Sequence, residues 1–425
     1  MKTKRIGLKK AMPSFIAILI GLVVGVAIIF FTNPSAAGEA IPNFFMGPFM
    51  NGMAGIGNLF YYATPLLMTG LAVGFAFKTG LFNIGASGQF LLGGFIVILL
   101  CNRLERFVPP FLMWPAALLV SALAGAFLGA IVGALKAYRN VNEVITCIML
   151  NYTVMYLIND LIKRLNIYNL FRNTTVAVST SIPRMGFDVL FPGTFAGGGF
   201  LIGVVMVVCL HLILKKTTFG FEMKAVGLNR DAAKYAGVNE RASIIKSMAI
   251  SGAMAGLGGG LFYLSGAGTA IAVVDVLPQE GFDGIAVALL GLSEPIGILL
   301  SALFFSYLSI GGQAIQTLGY APELITIIIS FILYVSALSV LFRRLLNRRK
   351  KDDIEGETLP TKEPPKPAIP KEEADTSLEM PQQTSMPEDG VDSTEKSASV
   401  VSSTDKQPRT VSEILEEEGG KPWNS

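Results

Sequence analysis

The stretch MPSFIAILIGLVVGVAIIFF, Met12 to Phe31, contains no charged residue. A helix needs roughly 20 apolar residues to cross about 30 Å of hydrocarbon, and this stretch has that length, so it reads as a membrane span. Lys2, Lys4, Arg5, Lys9 and Lys10 precede it, and the small residues Ser35, Ala36 and Ala37 follow it, as in a secretory leader. The apolar core of a cleaved leader is shorter, about 7–15 residues. An uncleaved first span is therefore expected.

Working outward from that stretch, the chain keeps the same character. Of its 425 residues 52% are hydrophobic and 15% charged, a balance too apolar for a soluble protein of this size. Apolar runs broken by polar clusters predict spans near 13–32, 59–77, 85–101, 112–134, 143–160, 197–214, 244–264, 281–292, 295–313 and 322–342. The expected fold is an all-α integral membrane protein of about ten transmembrane helices. The run GFDGIAVALLGL, Gly281 to Leu292, is short for a crossing. It reads either as a half-helix or as a span extended backwards through Pro278. Short, glycine- or proline-interrupted segments at membrane depth are tolerated where protein or a water-filled cavity surrounds the backbone.

The formal net charge of +3 conceals two regions of opposite sign. Lys351 to Ser425 holds 18 acidic and 8 basic residues, or −10, and the first 350 residues hold 13 acidic and 26 basic, or +13. With a cytoplasmic amino terminus, ten spans place 20 of those 26 basic residues inside and six outside, which follows the positive-inside rule. Both termini are then cytoplasmic. The chain divides into a transmembrane domain, 1–350, and a tail, 351–425. The tail is rich in Glu, Lys, Pro, Ser and Thr with almost no aromatics, a composition that cannot offset ordering entropy, and it is expected to be disordered. Its SEILEEE run, Ser412 to Glu418, is either solvated or a short helix on a partner.

Several functions are excluded by what the chain lacks. No G-x-x-x-x-G-K-[ST] phosphate loop occurs, so the chain is not expected to hydrolyse ATP. Glu143, Asp160, Asp283 and Glu294 fall at predicted helix ends rather than mid-membrane, which argues against an ion-coupled relay. His211, the one histidine, reads as a packed or interfacial side chain. Cys101, Cys147 and Cys209 lack metal-ligand spacing and read as packing residues.

The loop between Lys215 and Lys246 is basic and carries a compact helical signal, LNRDAAKYAGV. Asn229 is an N-cap, Asp231 suits the first turn and Gly237 ends the helix. Ala232 and Ala233 would leave a smooth surface and Tyr235 an anchor, so the loop is either a docking element or an ordinary basic loop. Beyond it Ser251, Gly252, Gly256 and Gly260 recur at four-residue spacing, which permits close helix approach. FNIGASGQF, Phe82 to Phe90, places Asn83, Ser87 and Gln89 among glycines, where they either line a pathway or brace a broken helix.

KTGLFNIGASGQFLLGG (Lys78 to Gly94), VNEVITCIMLNY (Val141 to Tyr152), FGFEMKAVGLNRDAAKYAGV (Phe219 to Val238), SGAMAGLGGG and GFDGIAVALLGLSEPIGI (Gly281 to Ile298) occur in this order. Together they resemble the permease subunits of bacterial nucleoside ABC importers. These belong to a wider group that also handles ribose-type sugars, branched-chain amino acids and riboflavin. Ser87 stands where members commonly carry an acidic residue. The resemblance implies a type II importer permease of about ten helices, paired with a second related permease, so that a heterodimer is expected. It further implies a bacterial plasma-membrane location, a cytoplasmic ABC ATPase that uses the ATP, an external substrate-binding lipoprotein and a nucleoside substrate, purine nucleosides foremost, with no cofactor on this chain and no nucleic-acid partner.

On that basis the coupling set is Lys224, Asn229, Ala232, Ala233, Tyr235 and Gly237. The pathway set is Asn83, Gln89, Asn142, Glu143, Asn151 and Asp283, polar groups whose exposure to lipid would be costly, with Phe82 and Phe282 as apolar contacts. A riboflavin or sugar permease is the alternative within the class. An ion-coupled secondary transporter and a membrane scaffold are the alternatives outside it.

Overall fold

The apolar runs fold as helices, most of which end near a Gly, Pro or Asn. The structure, a computed structural model, describes residues 18–332, 334 and 335. In chain order the helices are α1 (Ile18–Thr32), α2 (Ala37–Met50), α3 (Met53–Lys78), α4 (Ala86–Leu104), α5 (Pro110–Arg139) and α6 (Glu143–Arg164). They continue with α7 (Phe187–Leu190), α8 (Gly198–Lys216), α9 (Thr218–Leu228), α10 (Arg230–Tyr235), α11 (Glu240–Tyr263), α12 (Gln279–Leu290), α13 (Pro295–Gln316) and α14 (Glu323–Ile332). Seven of them, α3, α4, α5, α6, α8, α11 and α13, are long and apolar enough to cross a membrane.

Each of the ten expected spans coincides with a helix. The first and tenth are described only in part, as α1 and α14, and residues 13–17, 333 and 336–342 of those spans lie outside the described set. So does the whole tail, 351–425, with its Ser412 to Glu418 run.

The helix ends follow local chemistry. Asn142, Thr217, Asn229 and Asn239 cap α6, α9, α10 and α11, accepting from the backbone N–H of Val144 (2.8 Å), Gly220 (3.1 Å), Ala232 (3.0 Å) and Ala242 (3.1 Å). Each cap satisfies an N–H that has no partner within its helix. Asn140 ends α5 with φ at 51°, a left-handed conformation that Asn tolerates better than most residues.

Four elements depart from the sequence reading, the four-residue α7 among them. No helix was expected between 32 and 59, yet α2 occupies 14 residues there despite Pro42 and Pro48, and α3 begins at Met53. Proline removes a helical N–H and lowers local propensity, but packing compensates: Gly47 lies against Gly311 and Ala314 of α13, and the Tyr307 hydroxyl of α13 donates to Phe45 O. The basic loop holds α9 as well as the expected α10. Between α6 and α8 a small hairpin, β1 (Tyr168–Asn169) and β2 (Thr174–Thr175), pairs antiparallel and adds a β element to the otherwise helical chain.

The short apolar run before α13 is a half-helix. α12 has 12 residues, or about 18 Å at the α-helical rise. Pro278 precedes it with extended backbone, ψ 129°, so the helix does not run backwards through that residue. The connection from α11 to α12 is irregular and is tied to the hairpin by a Thr174–Ala272 bridge.

α3 and α11 form the centre of the fold. Their most apolar windows are 78% and 67% buried, against 33% for the peripheral α8. The four-residue repeat on α11 meets a second one on α5, Ser121, Gly125, Gly129 and Gly133. A Cβ at Gly252 would overlap Gly125 O, one at Gly125 would overlap Gly252 O, and one at Gly129 would overlap Met248 O. Ser121 Oγ donates to Gly256 O at 2.6 Å across the same seam. α4 closes on the other side, where a Cβ at Gly259 would overlap Phe90 O. Lipid tails are as apolar as leucine, so membrane helices associate largely through such close backbone packing.

Candidate functional site

The chain breaks between α3 and α4 over residues 79–85, where Gly80 has φ at 69°. A break of this kind strands backbone groups that lipid cannot solvate, and amide side chains take them up. Asn83 Nδ2 donates to Gln89 Oε1 and to Ser251 Oγ, both at 2.8 Å. Ser251 Oγ donates onward to Ala72 O at 2.6 Å. Asn151 of α6 accepts from the Gly88 N–H at 3.0 Å and donates to Ile84 O at 3.1 Å. All four side chains are buried. Gly88 lies in the first turn of α4, so its N–H has no helical partner and a residue from a different helix caps it.

This brace joins α3, α4, α6 and α11, and it brings Asn83, Gln89 and Asn151 of the expected pathway set together. Asn151→Leu removes both bonds at similar side-chain volume and leaves the Gly88 N–H orphaned, a loss of roughly 1–3 kcal/mol. Thermal unfolding of the detergent-purified protein should then fall by several degrees; an unchanged midpoint would argue that the brace contributes nothing.

The other expected pathway residues lie elsewhere. Asn142 is the exposed cap of α6, and Glu143 beside it pairs with Lys136 at 2.9 Å. Phe82 is half-buried and stacks on Phe77, with ring centroids 5.2 Å apart. Phe282 and Asp283 are half-buried on α12, and Gln279 Nε2 donates to Asp283 Oδ1 at 3.1 Å. Ser87 is buried, and its hydroxyl donates to Pro278 O at 2.6 Å, tying α4 to the start of α12. Cys101 and Cys147 are buried and Cys209 is exposed. His211 is half-buried, with Nδ1 lacking a partner among the described residues.

None of the expected pathway residues lines the half-open cavity of about 300 Å³ between α4, α6, the end of α11, the α11–α12 connection and the start of α12. Its walls include Met155, Asn159, Phe262, Tyr263, Thr269 and Glu280. Asn159 is also shared with a neighbouring cavity of about 360 Å³ toward Asp160 and Lys163. Sequence reasoning passed over Glu280, although a carboxylate directly ahead of a half-length apolar run is a usable signal. Asn159, Phe262 and Tyr263 carry no local signal, because only the tertiary fold brings them to one cavity.

A second candidate surface is the α9–α10 hairpin. It sits at the end of the bundle where Lys78 pairs with Glu294 at 2.7 Å, and Gly227 lies directly on the 78–80 backbone. Tyr235 is 94% exposed, Leu228 88% and Phe221 70%. Phe221 and Leu228, seven residues apart on α9, share a face. Asn229, Ala232 and Gly237 are exposed and Lys224 is half-buried; Gly237 has φ at 84°, the left-handed stop expected after α10. Ala233 requires correction. It is 4% exposed and packs with Ala76, Leu81, Val226, Ile244 and Met248, so it seats the hairpin on the bundle and leaves only Ala232 on the free side. Neighbouring positions on an α-helix point about 100° apart, so Ala232 and Ala233 do not share one face, which the sequence reading of a smooth two-alanine surface did not allow for.

The family described as the permease component of the branched-chain amino acid transport system matches residues 55–337. The chain belongs to this permease family. The nucleoside ABC transporter permease protein NupB of Lactococcus lactis is 35% identical to it over 353 residues, covering 80% of this chain and 94% of the relative. The guanosine ABC transporter permease protein NupP of Bacillus subtilis is 35% identical over 344 residues, 79% of this chain and 95% of the relative. A second nucleoside permease of L. lactis, NupC, is 26% identical over 272 residues, 61% of this chain and 83% of the relative. No solved structure matches the chain. The brace, the cavity and the hairpin of the permease all fall inside the family match, and the permease is a multi-pass membrane protein.

Proposed function

We propose that this permease forms one half of the membrane pathway of an ATP-driven nucleoside importer. The observation that carries the reading is the α9–α10 hairpin: a capped, two-helix element seated firmly on the bundle that leaves Phe221, Leu228 and Tyr235 exposed at its basic end. A large apolar residue left in water at that position suits a protein partner, and in an ABC importer the partner is the cytoplasmic ATPase. Asn229, Ala232, Gly237 and Lys224 complete the docking set. The nucleoside substrate is supported by the names of NupB and NupP, and a second, related permease by the occurrence of NupB and NupC in one organism.

The basic-residue asymmetry supports an orientation with the hairpin and both termini in the cytoplasm. A binding lipoprotein then delivers substrate at the opposite end. ATP-driven closure of the ATPases moves the hairpins, and the paired permeases open first outward and then inward. The coupling requires that the ATPase contacts differ between the two states. The seat of the hairpin against residues 78–80 adjoins the braced break before α4, so a displacement of the hairpin reaches α4, α6 and α11 through packed groups.

Uptake of labelled purine and pyrimidine nucleosides by cells with and without the permease tests the reading, with riboflavin and ribose in parallel. Nucleoside uptake is expected to disappear with the permease. Unchanged nucleoside uptake together with loss of riboflavin or ribose uptake would retain the importer and overturn the substrate.

A further inference from the structure

Glu280 opens on the 300 Å³ cavity, and no other described residue hydrogen-bonds or ion-pairs with its carboxylate. Its neighbour on the same helix, Asp283, has a partner in Gln279. The backbone that presents Glu280 is held from two sides. Thr69 Oγ1 of α3 donates to Glu280 O at 2.9 Å, and Ser87 Oγ of α4 donates to Pro278 O at 2.6 Å. Gly281 and Gly284 press this turn onto its neighbours so closely that a Cβ at either would meet Ser87 or Thr69 within 2.6 Å. A carboxylate held among apolar transmembrane helices is expensive, and such residues typically mark substrate or ion routes.

The surroundings define the chemistry. An ionised carboxylate only accepts hydrogen bonds, so its ligand must bring N–H or O–H donors. Phe262, Tyr263, Met155 and Ile271 give the cavity an apolar wall, and Asn159 and Thr269 add a few polar groups, the usual make-up of a small-molecule site. We infer that Glu280 reads the substrate during passage, its carboxylate accepting hydrogen bonds from the donors of a nucleoside whose base packs against Phe262 and Tyr263. This rests on the importer reading above. The donors belong either to the base edge or to the ribose hydroxyls.

The test uses the complete transporter, with both permeases, ATPase and binding protein. Removing hydrogen bonds to a charged group predicts that E280A lowers kcat/KM for guanosine uptake by about ten- to a hundredfold. E280Q, which keeps one acceptor oxygen, falls between E280A and wild type. Loss in E280A of the preference for guanosine over inosine assigns the contact to the base edge, and loss of the preference over 2′,3′-dideoxyguanosine assigns it to the ribose. Wild-type kinetics and both preferences intact in E280A overturn the inference.

Labelling covers the case in which E280A assembles poorly. Thr269→Cys, which lines the same cavity and leaves Glu280 in place, should react with a polar thiol reagent in a Cys209→Ser background, and guanosine supplied with binding protein and ATP should slow the reaction; no protection overturns the inference. If the wild-type transporter moves no nucleoside, the importer reading fails and takes this inference with it. Transport by wild type and E280A alike defeats the inference alone.

Discussion

Replacing Gly252 by Leu is expected to abolish recovery of folded permease. At this point α11 and α5 touch backbone to backbone, and even the first side-chain carbon would overlap Gly125 O. Gly252→Ala therefore forces the two helices apart. Overpacking of this kind costs roughly 1–3 kcal/mol, and the separation also strains the Ser121–Gly256 hydrogen bond beside it. Leu adds three further carbons that have no free direction, because Gly129 of α5 approaches from the adjacent turn. Mild detergent extraction followed by size-exclusion chromatography should give a monodisperse peak for wild type, a reduced one for G252A and none for G252L. Gly38→Ala is the matched control, since nothing lies within 4 Å of a Cβ there. Normal recovery of G252L would show that α5 and α11 do not meet as described.

The second large effect is expected on the hairpin. Leu228→Asp combined with Tyr235→Ala should leave the permease folded and inserted while uptake and co-purification of the ATPase fall at least about tenfold, the scale of truncating one or two interface anchors. Both side chains are almost wholly exposed, so the bundle loses little packing. Ala233→Leu should behave in the opposite way. It inserts bulk between the hairpin and the buried cluster of Ala76, Val226 and Met248, and its first consequence should be a lower unfolding temperature. Ala232→Leu, on the exposed side of the same helix, should spare stability and weaken docking. A doubly substituted hairpin that supports full uptake would remove Leu228 and Tyr235 from the docking surface.

These two experiments concern features that differ in how far the sequence reveals them. The repeat at Ser251, Gly252, Gly256 and Gly260 is visible as a pattern, but its partner on α5 lies more than a hundred residues away. The matching spacing of Ser121, Gly125, Gly129 and Gly133 acquires meaning only when the two seams meet. In the hairpin, the Asn229 cap and the Gly237 stop are local events and were legible. The burial of Ala233 depends on α3 and α11, and the exposure of Phe221 and Leu228 depends on where α9 comes to rest.

The amide cluster makes the same division. Among the residues of FNIGASGQF, Asn83 and Gln89 could be recognised as polar groups at a broken helix, with two uses left open. Their hydrogen bonds to one another and to Ser251 depend on the approach of α11, and the cap on Gly88 depends on Asn151 of α6. Glu280, Asn159 and the adjacent Phe262 and Tyr263 come from three separated places and become neighbours only around a cavity.

By itself the sequence determined the membrane as solvent, the order of the ten apolar segments, the distribution of basic charge and the two ends of α10. Hydropathy, charge and capping act within one segment of chain and need no partner. The tertiary structure alone decided that α2 is a helix in spite of its prolines, that α12 is a half-helix, which side of α10 is buried and which residues face the cavity. Those outcomes arise from close packing between distant segments, where the space left by one helix determines what another can place beside it.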